Sequence, residues 1–131
     1  MVYTANAVVT ETFTFNDFIF TMNVSGAVTQ ADLRKAVTLD KTAPNTVKLA
    51  GDGDPVYGRL ETFETGGLDR LTVGAISRKF RTTLPKTAAA IAVGDVVTGA
   101  GGGLVKKDAT AGATGNTVIE VRADSVVVEK L

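Results

Sequence analysis

The stretch "TETFTFNDFIFTMNVSG", Thr10 to Gly26, decides the fold. Its side chains alternate with a period of two, which is the period of a β-strand, where successive side chains point to opposite faces. One face carries only large apolar side chains: Phe18, Phe20, Met22 and Val24. The pair Asn16-Asp17 separates two such runs, and both residue types tolerate positive φ. The pattern therefore predicts a strand, with a hairpin turn at this pair.

The same alternation continues along the rest of the chain. Segments rich in Val, Thr and Ile are separated by short turn signals, as in "NTVKLAGDGDPVYGRLETF", "LTVGAISRKFRTTLP" and the closing "NTVIEVRADSVVVEKL". Many short strands with Gly-rich polar turns are typical of an antiparallel β-barrel or sandwich. The sequence therefore predicts a mainly β protein, with "LTVGAISRKFRTTL" as one uninterrupted strand.

One segment, "VTQADLRKAVTLD", has helical spacing. Leu33, Ala36 and Val37 share a helical face, and Thr29 with Asp32 resembles a capping pair. We expect a short helix near residues 29–36, of one or two turns.

The length of 131 residues predicts a single β-rich domain spanning 1–131. The first 25 residues stand out because four of the six phenylalanines lie there: Phe13, Phe15, Phe18 and Phe20. We expect this segment to form an N-terminal arm or hairpin. Its aromatic side chains either pack in the barrel core or are interface residues covered by a neighbour, since a lone domain rarely exposes a large apolar patch.

Composition excludes several kinds of chemistry. The chain has no cysteine and no histidine, so thiolate ligands, cysteine nucleophiles and the commonest general base are all missing. Lys plus Arg and Asp plus Glu both number 14, which gives no overall field toward nucleic acid or an anionic membrane. No apolar run approaches the roughly 18 residues of a membrane span, and the N-terminus lacks the features of a signal peptide. We expect no nucleic-acid partner, no membrane and no enzymatic activity.

The glycine run in "AVGDVVTGAGGGLVKK" raises the question of a phosphate-binding loop. In a P-loop, glycine directly precedes the lysine, and Ser or Thr follows it. Here Leu104 and Val105 separate Gly103 from Lys106, and Asp108 follows Lys107. The glycine spacing of dinucleotide-binding folds fails too. The run is therefore predicted to be a turn between two strands, and no cofactor is expected.

Carboxylates also fail to make a specific site. Asp52 and Asp54 have the alternate spacing of calcium ligands, but a calcium loop needs further oxygens at fixed positions, which Glu61 and Glu64 do not supply. "GDGDP" is typical of an ordinary turn. We expect neither a metal site nor catalytic residues.

The densest basic cluster is "SRKFR", with Arg78, Lys79 and Arg81 around Phe80. On a strand, Arg78 and Phe80 would face one way and Lys79 and Arg81 the other, so the cluster is not a single basic face. A solvated strand is one interpretation. The other is contact with an acidic surface or, as a minor option because aromatic stacking partners are sparse, with nucleic acid, which makes the three cations candidate interface residues.

The order of "QADLRKAVTLD", "NTVKLAGDGDPVYGRLETFE", "LTVGAISRKFRTTLP", "IAVGDVVTGAGGGLVKK" and "NTVIEVRADSVVVEKL" resembles the capsid decoration (cement) proteins of tailed bacteriophages. The resemblance covers residues 29–131. It implies a non-enzymatic β domain that binds the outside of an assembled capsid as a homotrimer and bridges capsomers. No individual site residue transfers from it.

Two functions are therefore open at the level of sequence. The first is a structural virion protein on the outer capsid surface, made in the host cytoplasm, with the major capsid protein and further copies of itself as partners. The second is a non-catalytic β-rich binding module, either carbohydrate-binding or tail-associated.

Overall fold

The computed structural model describes residues 19–65 and 72–130, and its fold is mainly β, as predicted. The hairpin predicted at Asn16-Asp17 lies outside the described residues. The strands are β1 Ile19–Val24, β2 Ala36–Leu39, β3 Thr46–Leu49, β4 Gly58–Leu60, β5 Glu64–Thr65, β6 Thr72–Ser77, β7 Arg81–Pro85, β8 Val97–Gly101, β9 Leu104–Lys107, β10 Asn116–Val121 and β11 Ser125–Lys130. No helix within these ranges is long and apolar enough to cross a membrane.

Five strands form a closed barrel in the order β1-β3-β2-β4-β6, which β6 closes by pairing with β1. The closing pair is antiparallel, with Ile19–Asn23 opposite Val73–Ser77. The pairing of β1 with β3 is parallel and covers only two residues of each strand. Apolar side chains from these strands and the following turn fill the barrel: Met22, Val24, Val28, Val37, Val47, Leu60 and Ile76.

A second set of strands packs beside the barrel. It consists of the three-stranded sheet β10-β11-β7 and the hairpin β8-β9, which single bridges join at Val96–Thr117 and Lys86–Val105. Its core contains Leu84, Val97, Val105, Val118, Val126 and Val128, together with two alanines from the barrel, Ala36 and Ala50. Because alanine side chains are short, the core of the second set of strands packs directly against the barrel at these two residues.

The turn predicted at the glycine run is present but shorter than the run, because Gly99 to Gly101 lie in β8. Gly102 and Gly103 connect β8 to β9, and their φ angles of 59° and 79° are the positive values that a tight hairpin turn requires. The hairpin then docks on the barrel through its backbone. The N–H of Gly99 donates to the carbonyl of Asp54 at 2.8 Å, and the Gly99 carbonyl accepts from the N–H of Gly53 at 2.9 Å. Both roles of the run are structural.

The predicted helix is reduced to one 3-10 turn, Gln30–Asp32. The helical interpretation of Ala36 and Val37 is wrong, because both residues lie in β2 and Arg34 has left-handed backbone geometry with φ 71°. The capping pair is present, since the Asp32 carboxylate accepts hydrogen bonds from the N–H of Thr29 at 2.9 Å and from its hydroxyl at 3.3 Å. These hydrogen bonds join residues only three apart, so they stabilise a single turn. The chain continues into β2 a few residues later.

The prediction of one strand through "LTVGAISRKFRTTL" is also wrong. β6 ends at Ser77 and β7 begins at Arg81, because β6 belongs to the barrel whereas β7 pairs with β11. Residues 78–80 form the crossing between the two sets of strands. The alternate facing proposed for Arg78 and Phe80 against Lys79 and Arg81 therefore does not apply.

We expect Gly99→Ala to destabilise the protein by about 1–3 kcal/mol, the range for forcing extra atoms into a packed site. A Cβ at this position would lie 2.2 Å from the carbonyl oxygen of Gly51, and backbone on both sides cannot move cheaply. The measurement is the free energy of unfolding in urea. Gly26→Ala is the matched control, because its Cβ would meet nothing within 4 Å. Equal stability of the two variants would contradict the docking role.

Candidate functional site

The start of β1 presents an apolar edge. Ile19 and Phe20 are 49% and 47% exposed, although Phe20 lies opposite Ile76, whose side chain is buried in the barrel. On one side, β1 pairs with β6 from Ile19 onward. On its other side, the first described pairing is that of Asn23 with β3. Among residues 19–65 and 72–130, no strand therefore pairs with the second edge of β1 over residues 19–22.

Of the four phenylalanines predicted to form an interface, only Phe20 can be placed. Phe13, Phe15 and Phe18 lie outside the described residues. Phe20 is on the strand that the alternation predicts, at the end of the barrel where the chain enters from residues 1–18.

Arg78 is held by the chain itself. Its guanidinium carbon lies 4.0 Å from the centroid of the Tyr57 ring, and its Nε donates to the Tyr57 carbonyl at 2.9 Å. The stacking of the guanidinium on the aromatic ring and the hydrogen bond together hold the Arg78 side chain against Tyr57, the residue that precedes β4. Arg78 therefore joins the crossing to the barrel, and only part of it is accessible to a partner.

Arg81 is held in a similar way by the second sheet. It stands opposite Glu129 across β7 and β11, and its Nη2 lies 2.6 Å from Glu129 Oε1. Lys79 is partly buried, and its carbonyl accepts a hydrogen bond from the Thr82 hydroxyl at 3.4 Å. The three predicted cations thus follow one another at the crossing but do not form one outward basic face.

Phe80 is the residue of this cluster that sequence reasoning undervalued. Its side chain is 51% exposed, and its carbonyl accepts the N–H of Lys130 at 2.8 Å, which fixes the backbone beneath it. A phenylalanine flanked by cations between two strands was a usable signal. It was missed because the segment was interpreted as continuous strand.

Lys130 contributes an electrostatic cost at the same place. Burial, and secondarily the positive charge of Arg78, lower the pKa of Lys130 below its ordinary value of 10.5. Its Nζ lies 6.0 Å from the centroid of Tyr57, so one ring is approached by two cations. The charged form of this lysine is therefore less favourable in the folded chain than in water.

Within the described part of the chain, no group of three or more His, Cys, Asp or Glu is placed to hold a metal ion. The two aspartates of "GDGDP" have structural partners instead. Asp54 accepts the N–H of Gly51 at 2.9 Å, and Asp52 forms an ion pair with Lys106 of β9. Both fasten the turn to which the β8-β9 hairpin docks.

Comparison with known proteins identifies no relative, since no family model, no curated protein and no solved structure matches the chain significantly.

We expect Lys130→Met to raise the melting temperature at neutral pH, because it removes a desolvated charge beside Arg78 and keeps the apolar stem. A lysine whose folded pKa is lowered destabilises the fold while it is protonated, and this penalty is relieved as the pH rises through the folded pKa toward 10.5. The advantage of the variant should therefore shrink as the pH approaches 10.5.

Thermal unfolding followed by circular dichroism at a series of pH values measures the difference between Lys130→Met and the unmodified chain. Lys41→Met serves as the control, because Lys41 is exposed in the β2–β3 connection. A lower melting temperature for Lys130→Met at neutral pH would contradict the electrostatic argument.

Proposed function

We propose that the chain is a structural virion protein that binds the outer surface of an assembled bacteriophage capsid and stabilises the head by bridging capsomers. The resemblance of residues 29–131 to decoration proteins motivates the proposal. The observation that carries it is the apolar, one-sided edge of β1 at Ile19 and Phe20.

An open strand edge with apolar side chains is a hazard for a protein that stays alone, because it pairs readily with other chains. Elsewhere the barrel is closed, so an edge at residues 19–22 that pairs with no other described strand is not a general property of this fold. Strand addition by a partner would pair this edge and cover both side chains. We assign that partner as the major capsid protein.

The alternating Thr and Phe of residues 1–20 extend the same pattern toward the N-terminus. In the proposal, this arm lies along the shell, with Phe13, Phe15, Phe18 and Phe20 as apolar contacts. Polar contacts come from the accessible parts of the side chains of Arg78, Lys79 and Arg81. Phe80 adds an exposed aromatic ring beside them.

Stabilisation of the head follows from linkage. A ligand that binds the intact shell and not its dissociated subunits stabilises the shell by an amount that grows with the logarithm of its concentration over its Kd. Many copies that each bridge several subunits add up through avidity, so weak single contacts suffice.

The test uses particles that lack the protein, prepared by deleting its gene, to which purified chain is added back. We expect add-back to raise the temperature at which the heads rupture, measured by release of packaged DNA. Phe20→Ser should weaken binding to the heads by about fivefold to tenfold, the cost of losing roughly half the burial of a Phe side chain.

Val93→Ser is the matched control, because Val93 is 67% exposed and lies far along the chain from β1. Unchanged rupture temperature after add-back, or no binding at micromolar concentration, would contradict capsid stabilisation and favour the carbohydrate-binding or tail-associated module. If Phe20→Ser and a chain lacking residues 1–18 both bind the heads as tightly as the unmodified chain, capsid binding stands but the proposed arm is wrong. Neighbouring genes for a major capsid protein, as against tail fibres or glycosidases, separate the same two functions.

Self-association is a separate expectation. If copies meet at local threefold positions of the shell, the decorated heads carry the protein as a homotrimer. Sedimentation velocity in solution and electron microscopy of decorated heads measure this state. A monomer both in solution and on the heads would contradict it.

A further inference from the structure

A basic groove runs between the barrel and the second sheet. We define it by its six polar lining residues, which come from the end of the 3-10 turn, from β4 and β7, and from the start of β11 with the connection before it: Arg34, Lys35, Arg59, Thr83, Arg122 and Ser125. Its volume is about 430 Å³. Of the described residues that line it, four are cationic and none is a carboxylate.

The carboxylates paired with Arg34 and Lys35 lie behind them, whereas Glu120, the partner of Arg122, is about as exposed as that arginine. Arg34 is paired with Glu61 at 3.8 Å, but its side chain is 70% exposed whereas that of Glu61 is 18% exposed. Lys35 is paired with Asp32 at 2.9 Å, with side-chain exposures of 33% and 11%. In both pairs the positive partner faces the solvent, so the surface of the groove is positive even though the pairs are neutral.

Arg59 builds the floor. Its side chain is buried, its Nε lies 2.6 Å from Glu61 Oε1, and its Nη1 donates to the carbonyl of Thr83 in β7 at 3.0 Å. The same carboxylate thus holds Arg59 and faces Arg34. Because Arg59 reaches from the barrel to the second sheet, the two walls of the groove are held at a fixed separation.

Arg34 and Arg122 stand on opposite walls of the groove. Arg34 projects from a backbone in the left-handed region, with φ 71°, which its N–H stabilises by donating to the carbonyl of Leu60 at 2.7 Å. Arg122 lies just after β10, where its Nε is 2.6 Å from Glu120 Oε2. A non-glycine residue in this region costs free energy, and such outliers concentrate at functional positions.

We propose that the basic groove binds carboxylate side chains of an acidic protein segment. Guanidinium groups present paired N–H donors that match the two oxygens of a carboxylate, and Thr83 and Ser125 add polar lining beside them. Lys35 and Arg59, which mostly buried carboxylates already hold in place, lose little freedom when an anion binds. The proposal is independent of capsid binding, since it specifies only the chemistry of the partner.

A protein segment fits better than a nucleic acid. Binding to a nucleic-acid backbone requires cations that follow several phosphates, usually with aromatic rings for the bases. The basic groove is short, its lining contains no aromatic residue, and the chain as a whole is neutral. A few acidic side chains on a flexible segment match its size and charge.

The test measures binding of a fluorescent oligoglutamate peptide to the full chain by anisotropy, with an oligothymidylate of equal charge as the competing probe. We expect the peptide to bind, to weaken as salt is raised, and to bind about tenfold more weakly to the double variant Arg34→Gln/Arg122→Gln. The matched control is Lys41→Gln/Lys48→Gln, which removes the same charge from two exposed lysines, one in the connection before β3 and one in β3. It should change binding by less than about twofold.

Three results would overturn the proposal: no peptide binding at about 1 mM, equal weakening by both double variants, or tighter binding of the oligothymidylate. Circular dichroism checks that the variants fold. The single variant Arg34→Glu, at the most exposed of these cations, gives a second measurement that does not depend on the double variant. Its expected outcome is weakening of peptide binding by at least about tenfold, because it changes the charge by as much as the double variant and places a like charge in the groove, and retained affinity would count against the groove.

Discussion

The close approach of backbone to backbone between the barrel and the β8-β9 hairpin constrains the rest of the molecule. The hairpin bonds to the turn after β3 through Gly99, and Ala36 and Ala50 allow the second core to lie directly on the barrel wall. Side chains of ordinary size at these positions would separate the two sets of strands. The crossing at residues 78–80 and the floor formed by Arg59 both depend on that short separation, because each spans the gap.

The interaction surfaces arise where this packing leaves groups exposed. Arg78 stacks on Tyr57 and Arg81 pairs with Glu129. The most exposed side chain of the crossing is therefore Phe80 and not a cation. At the basic groove, Arg34 and Lys35 are more exposed than the carboxylates with which they pair. At Arg34 and Lys35, the accessible charge of this neutral chain is therefore positive because the carboxylate is the more buried partner of each pair.

The sequence predicted the class of the fold well, because alternation and turn residues act locally. The short strands between turn signals, the turn at Gly102 and the capping pair of Asp32 all follow from residues close in the chain. The break between Ser77 and Arg81 could not be read in this way, since the alternation continues through it while the pairing partner changes from β1 and β4 to β11. The basic groove was also out of reach, because Arg34 and Arg122 are distant in sequence and only the docking of the second sheet brings them to one surface.

Closure of the barrel by β1 and β6 has a consequence for how the chain acquires its structure. The two strands come from distant parts of the sequence, so the loop between them must be ordered before their hydrogen bonds can form. Contacts of such long range slow folding, and a ribosome must synthesise the chain past Ser77 before β1 can find its partner. Until then Ile19, Phe20 and Met22 are uncovered, and the nascent chain is most exposed to aggregation at the strand that will later carry its apolar edge.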